Sequence, residues 1–153
     1  MSLIEGQKAP TFKLLDDEGK SVSLADFKDK KIVLYFYPKD DTSGCTLEAC
    51  NFRDALKDYS SQKIAVIGVS PDSVESHQKF KAKYKLNFPL LSDTERVMVK
   101  AYGVWKEKSM YGRKYMGVER TTFIIDGQGK ILKIFPKVKV PTHSQDILAA
   151  LQN

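Results

Sequence analysis

The sequence predicts an α/β fold in which helices cover a sheet that is at least partly parallel. An apolar segment, Lys31 to Tyr37, leads through a short polar loop into an amphipathic helix that begins at about Ser43 or Gly44. A second apolar and largely β-branched run, Ile64 to Val69, is typical of a strand buried on both faces. A polar helix follows from about Ser73 to Tyr84. Strand, helix, strand, helix is the pattern of a parallel sheet.

The remaining elements are predicted from turn residues and from short apolar runs. The N-terminal part predicts a β-hairpin followed by a single helical turn, and the C-terminal part predicts a second hairpin with a glycine turn. The predicted strands are Thr11–Leu15, Ser21–Leu24, Phe88–Leu91, Thr121–Asp126 and Lys130–Phe135, and the helical turn is Leu24–Lys28.

Two more helices and one loop complete the prediction. A helix is expected from Thr94 to Tyr102, with Asp93 as its cap and Gly103 as its stop. Trp105 to Gly117 is charged and aromatic without a clear period, so we expect a surface loop there. Thr142 is a candidate cap for a last helix, from His143 to Leu151.

Length and composition limit the function classes. A chain of 153 residues predicts a single domain, 1–153, with a real core. The net charge of +6 comes from lysines scattered among acidic residues, so we expect no nucleic-acid partner. No apolar run approaches a membrane span, and the N-terminus has no signal-peptide pattern. His77 and His143 are isolated residues without metal-ligand spacing, so no metal site is expected.

Both cysteines of the chain lie on the helix that follows the first buried strand. Cys45 is in the first turn of that helix, and Cys50 is five residues further on. The unpaired N–H groups and partial positive charge of a helix start favour an anion, so Cys45 is predicted to be a reactive thiolate. A buried, inert cysteine is the alternative.

The helix period separates the two thiols. Ala49, Phe52, Leu56 and Tyr59 continue the inward line that Cys45 begins. Cys50 lies about 140° round the helix and should face outward. The two Cα atoms would be about 8.7 Å apart on a regular helix, beyond the ~7 Å limit for a disulfide. If the cysteines pair, the first turns must therefore unwind.

The residues around Cys45 resemble those of a known family. Pro38-Lys39-Asp40-Asp41-Thr42-Ser43-Gly44-Cys45 fits the Pro-x-x-x-Thr-x-x-Cys signature of peroxiredoxins, and Thr46-Leu47-Glu48-Ala49-Cys50 is similar to the peroxiredoxin Q, or bacterioferritin comigratory protein, branch. The similarity extends from Gly6–Pro10 to Arg120–Asp126. Ser43 stands where many relatives carry proline, and serine can still cap or enter a helix.

The resemblance implies a thioredoxin-like fold, with a central mixed sheet flanked by helices and an N-terminal β-hairpin extension. It implies a thiol-dependent peroxidase that reduces hydrogen peroxide and organic hydroperoxides without a metal or organic cofactor. Cys45 would be the peroxidatic residue and Cys50 the resolving residue, with the Cys45–Cys50 disulfide reduced by thioredoxin or a similar dithiol protein. A monomer in the cytoplasm is expected.

The resemblance also assigns roles to three supporting residues. Arg120, directly before a predicted strand, would favour the Cys45 thiolate and steady the leaving oxygen. Thr42 would hydrogen-bond the thiolate or the peroxide, and from spacing alone it is equally an N-cap. Pro38 would shield the thiol from water, although by itself it is as good a strand terminator.

Two other function classes fit the same fold. A disulfide oxidoreductase usually carries Cys-x-x-Cys, which can pair without helix unwinding, whereas this chain has four residues between its cysteines. A non-catalytic thioredoxin-like redox sensor or chaperone is the third class. Peroxide consumption, followed by an insulin-reduction assay, separates them.

Overall fold

The computed structural model describes residues 3–138 and 140–151, apart from the side chains at 141, 142, 144 and 145. These described residues form nine strands, four α-helices and a short 3-10 turn at Leu24–Phe27. The strands are β1 (Lys13–Asp16), β2 (Ser21–Ser23), β3 (Lys31–Phe36), β4 (Ile64–Ser70), β5 (Leu90–Ser92), β6 (Trp105–Met110), β7 (Arg113–Val118), β8 (Thr121–Ile125) and β9 (Ile131–Phe135). The helices are α1 (Ser43–Ser61), α2 (Val74–Tyr84), α3 (Val97–Ala101) and α4 (Val140–Leu151).

Seven strands form one mixed sheet in the order β2-β1-β5-β4-β3-β8-β9. β3, β4 and β5 are parallel, as the alternating strand and helix pattern predicts. β8 runs antiparallel to β3, and β9 antiparallel to β8. The N-terminal hairpin extends this sheet, because β1 pairs with β5. The predicted mixed α/β architecture is confirmed.

Strand β3 divides the core into two layers. Ile32, Leu34 and Phe36 pack on the side of the sheet that carries α3, while Val33 and Tyr35 pack on the side that carries α1. This alternation follows from the period of two along a strand. Cys45 belongs to the second layer, so the sheet and α1 together bury its side chain.

One prediction about this fold is wrong. The segment predicted as a surface loop, Trp105 to Gly117, forms the antiparallel hairpin β6–β7. Most side chains of the two strands are exposed or half-buried, so the sequence has no apolar alternation to reveal them. Tyr111 and Gly112 both have positive φ at the turn, a conformation that Asn-Gly signals more clearly than Tyr-Gly.

Two helix boundaries also differ from the predictions. α3 is shorter than expected because Arg96 adopts a left-handed conformation with φ of 60°. Asp93 nevertheless caps it, as its carboxylate accepts from the N–H groups of Met98 and Val99. α4 begins at Val140, so Thr142 lies within the helix rather than before it, and its side chain is outside the described residues. No described helix is long and apolar enough to span a bilayer.

Candidate active site

Cys45 lies at the junction between β3 and α1. The strand ends at Phe36, a loop of six residues follows, and Cys45 is the third residue of the helix. Its side chain is 1% exposed and its thiol is free. The N–H groups of this first turn have no carbonyl partner within the helix and can stabilise an anion. The prediction that Cys45 faces inward is confirmed.

Cys50 lies one and a half turns further along the same helix. It is half-buried, and its thiol is also free. Helix α1 is continuous from Ser43 to Ser61, so both thiols sit on regular helix. Two residues at this spacing on a regular helix lie beyond the reach of a disulfide, so pairing of Cys45 with Cys50 would require the helix to unwind.

Strand pairing brings Arg120 to Cys45. β8 begins at Thr121, which is paired with Phe36 at the end of β3, so the residue before β8 lies beside the loop after β3. The Nη2 atom of Arg120 lies 3.2 Å from Cys45 Sγ. The Nη1 atom donates to Glu48 Oε1 at 2.5 Å. The guanidinium is thus fixed between a thiol and a carboxylate.

Glu48 is a site residue that the sequence interpretation missed. It is 1% exposed, and its Oε2 has no hydrogen-bond partner within the part of the chain that the structure describes. Burial raises its pKa to about 7, against the opposing attraction of Arg120. For Arg120, burial disfavours the cation, but the charges of Glu48 and Cys45 outweigh it and raise its pKa. The available signal was the three-residue spacing from Cys45, which puts both on one helix face.

Gly44 leaves the space that Arg120 occupies. A Cβ atom at this position would lie 3.3 Å from Arg120 Nη2, closer than most such contacts. A glycine in the first turn of a helix has low helix propensity, so its presence calls for a packing reason. Close approach of the guanidinium to the thiol supplies that reason.

Thr42 and Pro38 flank the site from the loop. Thr42 occupies the N-cap position of α1, but its side chain makes no cap hydrogen bond. Its hydroxyl instead donates to the carbonyl of Lys39 at 3.0 Å. The capping alternative is therefore wrong for this side chain. Pro38 is half-buried and lines a cavity near the loop.

The β6–β7 hairpin borders the same cavity. This space of about 360 Å³ is lined by Pro38 and Lys39 on one side and by Trp105, Lys108, Tyr115 and Met116 of the hairpin on the other. Burial lowers the pKa of Lys108, and the charge of Arg120 lowers it further. The hairpin that the sequence did not predict thus forms one wall of the approach to the loop.

Both histidines are buried although they lie on polar segments. His143 packs edge-to-face on Phe52 and makes a hydrogen bond with Thr122 Oγ1 at 2.7 Å. Burial lowers its pKa to about 4, so it is neutral at pH 7. His77, with Asp40 and Asp72, forms the one group of described residues that has metal-ligand geometry. Their ligand atoms are engaged in hydrogen bonds within the protein.

Comparison with known proteins agrees with this geometry. The sequence profile of the AhpC/TSA family matches residues 5–134. The putative peroxiredoxin bcp of Coxiella burnetii is 52% identical, over 99% of this chain and 100% of that protein. Peroxiredoxin Bcp of Bacillus subtilis is 50% identical, over 100% of this chain and 98% of that protein.

A solved structure supports the same assignment. A cysteine-to-serine variant of PrxQ from Xylella fastidiosa superposes with a TM-score of 0.95 at 36% identity, covering 99% of this chain and 97% of that one. A profile match over most of the chain, close relatives over its full length and a matching fold lead to one conclusion. The chain belongs to the AhpC/TSA family and is a peroxiredoxin, a thiol peroxidase of the Bcp or peroxiredoxin Q branch.

Proposed function

We propose that Cys45 is the residue that attacks the peroxide, both hydrogen peroxide and organic hydroperoxides. Its thiolate sulfur bonds to one peroxide oxygen, the O–O bond breaks, and the leaving oxygen takes a proton as water or an alcohol. Cys45 becomes a sulfenic acid. The observation that carries this proposal is the 3.2 Å contact between Arg120 Nη2 and the buried Cys45 sulfur.

Three groups stabilise the charge that develops during this step. The transition state spreads negative charge over sulfur and both oxygens, so donors aimed at those atoms lower the barrier. Arg120 and the N–H groups of Gly44 and Cys45 are such donors. The proton of the Thr42 hydroxyl is held by Lys39, which leaves the oxygen lone pairs of Thr42 to accept from the hydroperoxide. Pro38 keeps water from the thiol side of the loop.

Cys50 is proposed as the resolving residue. Its thiol condenses with the Cys45 sulfenic acid, giving a disulfide and one water. The disulfide requires the first turns of α1 to unwind, because both residues lie on continuous helix. The free state of both thiols in the folded helix supports this order of events.

The cycle then needs a dithiol reductant. Thiol–disulfide exchange with a thioredoxin-like protein returns both cysteines to thiols. Such a reductant operates in a reducing compartment, so we place the enzyme in the cytoplasm. The chain works as one domain and as a monomer, which size-exclusion chromatography with light scattering tests directly.

The test of the function is peroxide consumption by the pre-reduced protein. We expect one equivalent of peroxide to be consumed per chain without added reductant, and repeated turnover with a thioredoxin system. The same protein should reduce insulin disulfides poorly. Rapid insulin reduction with no peroxide consumption would instead favour the disulfide oxidoreductase alternative.

A further inference from the structure

The loop between β3 and α1 is held by a buried hydrogen-bond network centred on Asp40. Asp40 is 6% exposed, and its carboxyl group forms hydrogen bonds with three side chains. Tyr37 OH donates to Oδ1 at 2.6 Å, and Ser76 Oγ donates to Oδ2 at 2.8 Å. His77 Nδ1 lies 2.7 Å from the same Oδ2. Asp40 thereby connects the loop to the first turn of α2.

The partners of His77 define where its protons are. Nε2 lies 2.9 Å from the carbonyl oxygen of Leu91, which can only accept, so Nε2 carries a proton. Nδ1 faces a carboxylate oxygen, and a second proton must lie between them. His77 and Asp40 therefore share this proton as one hydrogen-bonded pair. The pair has no net charge, which makes its complete burial possible.

The same loop is held a second time through its backbone. The N–H of Asp40 donates to Asp72 Oδ2 at 2.8 Å, and Ser70 Oγ donates to the same oxygen at 2.6 Å. That N–H belongs to the peptide group whose carbonyl, on Lys39, accepts the Thr42 hydroxyl. In a trans peptide the N–H and C=O point in opposite directions, so fixing the N–H also fixes the carbonyl. The network thus determines where the Thr42 oxygen points.

We propose that the His77–Asp40 pair is a positioning device for peroxide reduction. The pair orients the Lys39–Asp40 peptide so that the Lys39 carbonyl holds the Thr42 proton and the Thr42 oxygen faces the incoming hydroperoxide. This inference rests on the proposed role of Thr42 beside Cys45. His77 touches neither substrate nor thiol, and it acts only through the loop.

We expect the His77–Asp40 pair to affect the rates of two reactions of the Cys45 thiol differently. Attack on a peroxide needs the sulfur and an oriented Thr42, whereas alkylation by iodoacetamide needs only the thiolate. The first experiment compares both rate constants of Cys45 in wild type and His77→Leu. We expect peroxide reduction to slow on the order of 10- to 100-fold, as for other small misplacements of reacting groups. Alkylation should change less than about twofold, because no group that contacts the sulfur has been altered.

A double variant separates positioning from folding. His77→Leu alone leaves the buried Asp40 carboxyl group without one of its hydrogen-bond partners, which destabilises the protein. Asp40→Ala/His77→Leu removes both partners of the hydrogen bond, so we expect its urea-unfolding midpoint to return toward wild type while peroxide reduction stays slow. Asp41→Asn is the matched control, since Asp41 is the next loop residue and is bound to Lys83 and Tyr84 of the same helix at the surface. It should leave both rate constants unchanged.

Three results would overturn the proposal. Equal slowing of peroxide reduction and alkylation would show that the His77–Asp40 pair affects only thiolate formation or the stability of the fold. A folded His77→Leu protein with the wild-type peroxide rate would exclude any positioning. Recovery of the peroxide rate in the double variant would show that the pair only stabilises the fold. If wild-type Cys45 itself fails to react with peroxide, the proposed function fails first, and the alkylation data identify that case.

Discussion

Arg120 and Cys45 are 75 residues apart in the chain, and a guanidinium nitrogen lies 3.2 Å from the thiol sulfur. The other terminal nitrogen is bound to the buried Glu48. One side chain thus links the Cys45 thiol to the Glu48 carboxyl group, which lies about one turn further along the same helix. A planar guanidinium can make both contacts at once, which the single ammonium group of lysine cannot do with the same geometry.

The first prediction tests the nucleophile. Cys45→Ser should abolish peroxide reduction and keep the fold, because only the reacting sulfur is replaced. Peroxide loss and far-ultraviolet circular dichroism measure the two outcomes. Cys50→Ser is the control and should still consume one equivalent of peroxide. Substantial turnover by Cys45→Ser would move the nucleophile elsewhere.

The second prediction concerns the guanidinium. Arg120→Lys keeps the charge but cannot serve both Cys45 and Glu48, so we expect sulfenic acid formation to slow by about 10²-fold, as when an oxyanion-hole donor is lost. Rapid-mixing kinetics of the first turnover gives the rate. Arg113→Lys, on the exposed strand β7, is the control. A wild-type rate in Arg120→Lys would show that charge alone suffices.

The third prediction follows from the pKa of Glu48. Its pKa is about 7 when folded and 4.5 as a free side chain, so the folded state binds the proton more tightly. Glu48 therefore contributes on the order of 3 kcal/mol to the free energy of unfolding below pH 4.5. This contribution is lost as the pH rises through 7. Glu48→Gln does not titrate and should gain stability relative to wild type across this window.

Urea unfolding at several pH values measures the relative stability of Glu48→Gln. His143 titrates in both proteins, so its contribution cancels in the difference. Glu107→Gln, at an exposed position, should show no such trend. A constant difference between wild type and Glu48→Gln from pH 4.5 to 7 would mean that the carboxylate stays ionised throughout.

The fourth prediction is that one substitution at Gly44 maintains or raises the stability of the protein but slows peroxide reduction. Alanine favours a helix over glycine by up to ~1 kcal/mol, so Gly44→Ala should be as stable as wild type or more stable. Its Cβ would meet Arg120 Nη2 at 3.3 Å and displace the guanidinium from the thiol. We expect the peroxide step to slow by about tenfold. Ser43→Ala, at an exposed position in the same turn, controls for the effect of alanine on helix stability. Unaltered peroxide kinetics in Gly44→Ala would show that the missing side chain at Gly44 is not needed to place Arg120.

The fifth prediction describes the oxidised protein. One equivalent of peroxide should produce a Cys45–Cys50 disulfide and remove amide protection in the first turns of α1. Unwinding should stop near Arg53, because its guanidinium donates to the Tyr84 carbonyl at 2.6 Å and its own carbonyl accepts from Asn87. Hydrogen exchange with mass spectrometry measures this boundary.

A resolving-residue variant tests the same switch. Cys50→Ser should form the sulfenic acid once, fail to cycle with thioredoxin and become prone to overoxidation. Normal cycling by Cys50→Ser, or full protection of residues 45–52 in the oxidised wild type, would exclude the role proposed for Cys50.

The sequence alone determined the local part of this site. The strand before Cys45, the helix start and the inward face of α1 depend on spacings of two and of three or four residues, which a single segment displays. The Asp93 cap and the Gly103 stop are local signals for the same reason. The residues around Cys45 indicated the family by their resemblance to its motif, and the comparisons confirm that family.

The tertiary structure decided which distant side chains meet. Arg120 reaches Cys45 because β8 pairs antiparallel with β3 in one register, and the same guanidinium donates a hydrogen bond to the buried Glu48. His77 is bound to Asp40 because α2 packs over the loop. The β6–β7 hairpin is held by backbone pairing between largely exposed strands, so its side chains carry no period. Pairing register and packing depend on contacts between segments far apart in the chain, and no local pattern of residues encodes them.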